Sequence, residues 1–150
     1  MINVNVEVNS KPWLKKIKRP KKYFKTRLNK INKIIKFFNG KNITFTILLT
    51  NSLKMKKLNK KFRKLNKSTD VLSFPSFELK KLKLIRENKF YIGDLAVSYE
   101  IINSRSKKNF SSEFDKVWVH GLLHLIGYDH ISDGDYQKMN KIEKRILKSI

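Results

Sequence analysis

Apolar residues at Ile2, Val4, Val6 and Val8 alternate with polar ones, the period of a strand with one buried face. After Pro12 comes a short basic helical stretch, broken near Pro20. From residue 21 to 38 the period lengthens: Phe24, Leu28, Ile31, Ile35 and Phe38 recur at spacings of four and three. That stripe predicts an amphipathic helix whose other face is nearly all lysine, stopped by Asn39-Gly40. Residues 43–50 are β-branched and aromatic, hence a strand, and Asn51 or Ser52 can cap a following helix through Leu53, Leu58 and Phe62. Val71 to Phe74 reads as a buried strand stopped by Pro75, Tyr91 to Ser98 as another, and the charged stretch 76–90 as an exposed connection.

Ser112 is placed to cap a helix with Asp115 in its first turn and Phe114, Val117, Trp118, Leu122 and Leu125 on its apolar face. A last helix runs from about Ser132 to Leu147 and packs through Tyr136, Met139, Ile142 and Ile146. Strands separated by helices, then a helical C-terminal half, predict an α+β fold with a mixed β-sheet packed by helices. The length of 150 residues suits a single domain over 1–150.

Composition narrows the chemistry. The chain has no cysteine, which excludes disulfides and thiolate ligands and agrees with a reducing cytosol. The N-terminus has no basic and apolar leader pattern, and no apolar run approaches the length of a membrane span, so a soluble, cytoplasmic protein with no membrane partner is expected. A net charge of +23 points to a polyanionic partner, because neutralising phosphates releases counterions. Ala96 is the only alanine, and Lys, Asn and Ile abound, so about half of that excess is assigned to AT-rich codons. The rest favours RNA, DNA or an anionic surface.

All three histidines fall in His120-Gly121-Leu122-Leu123-His124-Leu125-Ile126-Gly127-Tyr128-Asp129-His130. Residues four apart share one helix face about 6 Å apart, so His120 and His124 can aim at one point. Gly127 can take the left-handed conformation that ends a helix and lets His130 close from a third direction. Three neutral imidazoles suit one Zn²⁺ and leave its fourth tetrahedral position free, as in catalytic rather than structural sites. Nickel, iron or cobalt could use the same ligands, since imidazole discriminates poorly among them.

The run invites comparison with the zinc-protease pattern H-E-x-x-H-x-x-G-x-x-H, whose Glu is the general base. Gly121 stands at that Glu position, so peptide hydrolysis lacks its proton acceptor and a phosphodiester becomes the better substrate.

The same run resembles the signature of the YbeY family of bacterial zinc-dependent, single-strand-specific endoribonucleases involved in ribosomal RNA maturation. Leu58-Asn59-Lys60-Lys61-Phe62-Arg63 resembles that family's L-N-x-x-[YF]-R block, and Ser68-Thr69-Asp70-Val71-Leu72-Ser73-Phe74-Pro75 resembles its T-D-V-L-S-F-P block. Gly93-Asp94-Leu95-Ala96-Val97-Ser98 is similar to its G-D-I-x-I-S strand, and Met139 with Glu143 matches the tail. The resemblance covers roughly residue 43 to the C-terminus; the stretch Ile101 to Asn109 lacks a clear family pattern.

The resemblance implies His120, His124 and His130 as ligands of one Zn²⁺, with His120 and Arg63 as catalytic positions. It also implies a positively charged groove for single-stranded RNA, cleavage at the small-subunit rRNA 3′ end, a part in ribosome quality control, and ribosomal proteins and assembly GTPases as partners. An Arg fork can hold two phosphate oxygens, the alternative for Arg63 being a solvated or structural cation. Asp129 can orient a histidine or simply make a turn, and Asp70 and Asp94 read chiefly as structural. RNA-contacting residues are not assignable from the sequence beyond a basic surface. Two rival functions remain open: another zinc hydrolase of the peptidase kind, and a non-catalytic ribosome-assembly factor whose metal only holds its fold.

Overall fold

The alternating N-terminus forms β1 (Ile2–Val8), and the β-branched run lies in β2 (Asn42–Thr50). The structure, a computed structural model, describes residues 1–35, 40–77 and 87–150. With β3 (Val71–Pro75) and β4 (Lys89–Ser98) these strands form one sheet in the order β1-β2-β4-β3. β1 is parallel to β2 and β2 to β4, while β3 runs antiparallel to β4. The sheet is therefore mixed, as the pattern predicts.

Parallel neighbours require long crossovers, and helices supply them. α1 (Pro12–Lys16) and α2 (Pro20–Ile34) join β1 to β2, and α3 (Ser52–Arg63) precedes β3 on the way to β4. α4 (Tyr99–Arg105), α5 (Phe110–Leu125) and α6 (Asp133–Leu147) complete the described elements.

Strand side chains alternate between faces, so the sheet has two apolar sides. On one, Ile43, Phe45, Ile47 and Leu49 of β2 join Leu95 and Val97 of β4 in the main core, which Trp13, Phe24, Trp118 and Leu122 of the helices fill. On the other, Met55 of α3 packs on Leu72 and Ala96, flanked by Leu48, Leu58 and Phe74. α5 is the most buried helix; Phe114, Trp118, Val119, Leu122 and Leu123 have no exposed surface. Each such side chain contributes about 1.5–3 kcal/mol of apolar burial, enough to fix the helix that carries the first two histidines.

One charge lies inside this packing. Asp115 is 6% exposed, and its Oδ1 accepts from Arg27 Nε at 2.7 Å, the Tyr23 hydroxyl at 2.7 Å and Trp118 Nε1 at 2.9 Å. A buried carboxylate is tolerable only when so paired. The cluster ties α2 to α5.

Several expectations give way to tertiary context. The cap of α5 is Asn109, whose side chain accepts from the Ser112 N–H, so the helix starts two residues before Ser112 and its first-turn acid is Glu113, not Asp115. α2 closes at Ile34 rather than running to Phe38, and residues 36–39 lie outside the described residues, as do 78–86 of the expected connection. Among the described residues β3 is an edge strand paired with β4 alone, half-buried instead of fully buried. Leu53, Phe62 and Tyr136 are 64%, 56% and 57% exposed, because α3 turns Met55 and Asn59 inward and α6 turns Met139 and Ile146 inward. α4, unforeseen in the stretch without a pattern, is seven residues long, buries Ile102 and has Glu100 in its first turn.

Candidate metal centre and its cleft

α5 ends in a Schellman turn. Gly127 has φ +98°, its N–H donates to the His124 carbonyl at 3.0 Å, and the Tyr128 N–H donates to the Leu123 carbonyl at 2.9 Å. A residue with a Cβ would be strained there. The reversal returns the chain across the helix end, so that the Tyr128 carbonyl faces His124 and His130 joins the pair on α5. One ring nitrogen from each of His120, His124 and His130 lies within 4.8 Å of the others.

The outer nitrogens of two rings are fixed. His124 Nδ1 lies 3.0 Å from the Tyr128 carbonyl, which can only accept, so Nδ1 carries the proton. His120 Nδ1 lies 3.2 Å from Glu143 Oε1 on α6 and donates likewise. In the neutral rings both Nε2 atoms are then lone-pair acceptors, and they face each other at 3.1 Å. Two acceptors at that distance repel unless a cation lies between them. Nitrogens bonded tetrahedrally to zinc at 2.0–2.1 Å are about 3.3–3.4 Å apart, close to the separation found, so the residues fit the ion. Burial, then the neighbouring His120 and His130, lower the pKa of His124 and favour the neutral imidazole that a metal needs.

Gly121 faces away from this cluster. A Cβ there would come within 2.9 Å of Leu95 Cδ2 and 3.0 Å of Val71 Cγ2, and the Ser73 hydroxyl donates to its carbonyl at 3.3 Å. The position that holds the base in zinc proteases is here the contact between α5 and the sheet. No acidic side chain fits there.

The histidines open into a cleft of about 1220 Å³ between α5 and the outer edge of β3. Arg63, the last residue of α3, lines the same cleft, so the structure brings together all four residues singled out for metal and catalysis. Among the described residues lining it are three cations, and two of them are engaged: Arg105 donates to Asp70, and Lys116 lies 3.5 Å from Glu113. Arg63 is exposed and has no carboxylate partner among the described residues. Four carboxylates, Asp70, Glu113, Asp129 and Glu143, share the described lining.

Asp129 also lines the cleft, and its Oδ1 accepts from the His130 backbone N–H at 2.8 Å, a turn contact beside the histidine cluster. The carboxylate on a histidine ring is Glu143. Sequence reasoning had it only as part of a matching tail; its signal is weak, a single acid 13 residues past His130 on another helix. Asp70 accepts from its own strand's Val71 N–H at 2.8 Å, and Asp94 accepts from the Tyr91 hydroxyl outside the cleft.

The two resembling blocks meet physically: Phe62 of the first stacks edge-on against Phe74 of the second at 5.1 Å, which sets Arg63 beside β3.

Comparison with known proteins gives the family. The family model described as Endoribonuclease YbeY matches residues 6–150. The Endoribonuclease YbeY of Pelagibacter ubique is 46% identical over 100% of this chain and 97% of its own length. That of Caldicellulosiruptor bescii is 36% identical, covering 80% of this chain and 81% of its own. That of Thermodesulfovibrio yellowstonii is 33% identical over 97% and 91%. The solution structure of TM1509 from Thermotoga maritima superposes with a TM-score of 0.63 at 25% identity, covering 99% of this chain and 88% of that one. With a histidine-lined cleft on the fold of that solved structure, and with sequence similarity over nearly the whole chain, the protein belongs to the YbeY endoribonuclease family.

Proposed function

We propose that residues 1–150 form one zinc-dependent endoribonuclease domain that cleaves single-stranded RNA, acting in the cytoplasm on the 3′ end of small-subunit ribosomal RNA and in ribosome quality control. Ribosomal proteins and assembly GTPases are the partners in this reading. The observation that carries it is the pair of Nε2 atoms set face to face at 3.1 Å in a cleft where, among the described residues, Arg63 is the cation without a carboxylate partner.

His120, His124 and His130 would hold one zinc ion per chain. When bound, the ion supplies Lewis acidity toward a phosphoryl oxygen and an attacking nucleophile. Glu143 and the Tyr128 carbonyl keep the His120 and His124 protons on Nδ1, so the rings stay oriented without metal. Arg63 offers two parallel N–H donors to the non-bridging oxygens of the scissile phosphate, where charge grows in the transition state. Gly121 leaves no room for a peptidase's general base, which argues against the rival hydrolase.

The test is metal analysis of the purified protein with cleavage of single-stranded ribosomal RNA, before and after chelation. About one zinc per chain and chelator-sensitive cleavage are expected. Undiminished cleavage in metal-free protein would overturn the reading, and metal without any cleavage would favour the assembly factor. No helix among the described residues is long and apolar enough to cross a membrane.

A further inference from the structure

The positive charge is not spread evenly. Residues 8–69 contain 21 Lys and Arg and no Asp or Glu, whereas residues 70–150 contain 14 cations against 11 acids. Codon bias toward lysine acts on the whole chain and does not account for a boundary at Asp70. Much of the excess lies on α3 and the loop after it: eight Lys and Arg stand between Lys54 and Lys67, all exposed. None of the eight has an ion-pair partner among the described residues.

Lysines three and four apart on a helix repel one another, as Lys56 with Lys60 and Lys57 with Lys61 do here. A helix that carries this repulsion unrelieved is stabilised by a polyanion laid along it.

Position and shape select the partner. α3 packs on the face of the sheet opposite α5 and ends at Arg63 in the cleft, so its exposed ridge runs straight to the catalytic centre. A second basic helix, α2, packs against β1 at the far edge of the sheet. The ridge is also held rigid at its cleft end: the buried Asn59 donates from Nδ2 to the Lys67 carbonyl at 2.8 Å. Beside Arg63, Phe62 is 56% exposed with the Lys61 ammonium 5.2 Å from its ring centroid. Cations interleaved with an open aromatic suit unstacked bases and their phosphates, the chemistry of single-stranded nucleic acid.

We propose that α3 and its following loop are a docking track for single-stranded RNA outside the cleft, with the lysines on phosphates, Phe62 under a base, and Arg63 as the junction to the metal centre. The track supplies phosphate contacts beyond those of the cleft's described lining. It rests on reading the cleft as an RNA-cleaving site.

The test compares the zinc-loaded chain with Lys56, Lys57 and Lys60→Gln together, and with Lys21, Lys22 and Lys25→Gln together as a control of equal charge on α2. Gln is close to Lys in helix propensity, and circular dichroism checks both folds. Binding is read by anisotropy on 2′-O-methyl oligoribonucleotides, and cleavage on unmodified RNA, each at about 4 and about 16 nucleotides.

The α3 variant should bind the long RNA about tenfold more weakly. Its log K against log salt slope should be shallower by about 2, near 0.7 for each lost phosphate contact. Cleavage of the short RNA, which fills only the cleft, should be unchanged. Phe62→Leu should weaken binding of the long RNA without changing the salt slope. Wild-type binding by the α3 variant, or an equal loss in the α2 control, overturns the track. Absence of short-RNA cleavage by the wild type would overturn the catalytic reading instead, while the binding arms still decide the track.

Discussion

His124 is the residue whose environment is most specialised: its lone pair points at that of His120, and its other nitrogen is held by a backbone carbonyl. His124→Ala is expected to lose most of the zinc by metal analysis, since two imidazoles hold it far less tightly than three. Glu143→Ala frees the His120 ring, and zinc affinity measured against a competing chelator should fall about 10–100-fold. Glu143→Gln keeps the acceptor oxygen and should restore part of it. Arg63→Ala should keep zinc and melting temperature while single-turnover cleavage drops by on the order of 10²-fold. Arg63→Lys, with charge but no fork, should recover only part of the rate. The histidine cluster was legible in the sequence because all three lie on one helix and its exit turn. Glu143 was not, because its pairing with His120 depends on how α6 packs on α5, which no local pattern records.

Elements were legible where periodicity matched burial, as in β1, β2 and the apolar face of α5, and less so at their ends. Ser112 and Asn109 are both good caps, and the choice fell to Asn109, the residue that lets Phe110 reach Trp13 and Phe114. The sequence could not distinguish an edge strand from a central one either, because Val71 to Phe74 contacts α5 on one face and α3 on the other and so reads as apolar throughout. Gly121 gives a test at this scale. Gly121→Ala improves helix propensity, yet its methyl would press on Leu95 and Val71, so a net destabilisation of about 1–3 kcal/mol by overpacking is expected in chemical denaturation. An unchanged midpoint would mean that β3 yields easily, and with it the cleft wall.

At the scale of the whole molecule, burial and then the charge of Asp115 raise the pKa of Tyr23 far above the ordinary 10.0. Its folded form holds the proton more tightly than its unfolded form. The stability this provides is complete below the unfolded tyrosine value and is lost as pH rises above it. The wild type should therefore lose stability in alkali more steeply than Tyr23→Phe, measured by urea unfolding from pH 8 to 11. Parallel slopes would show that Tyr23 ionises freely.

The three histidines span only eleven residues of chain, so the loop that a bound ion would close is short and is already closed by the Schellman turn. A metal that staples distant segments removes large disorder from the unfolded chain; this one removes little. On the proposed metal reading the sheet and helices would assemble first, and the ion would enter a finished socket. Chelated protein should keep its far-ultraviolet circular dichroism and one cooperative melting transition, shifted down only by the lost binding energy, and should regain zinc without refolding. Under the proposed zinc dependence, metal supply would set how much of an already folded pool is switched on, and a cell short of zinc would hold the protein in reserve.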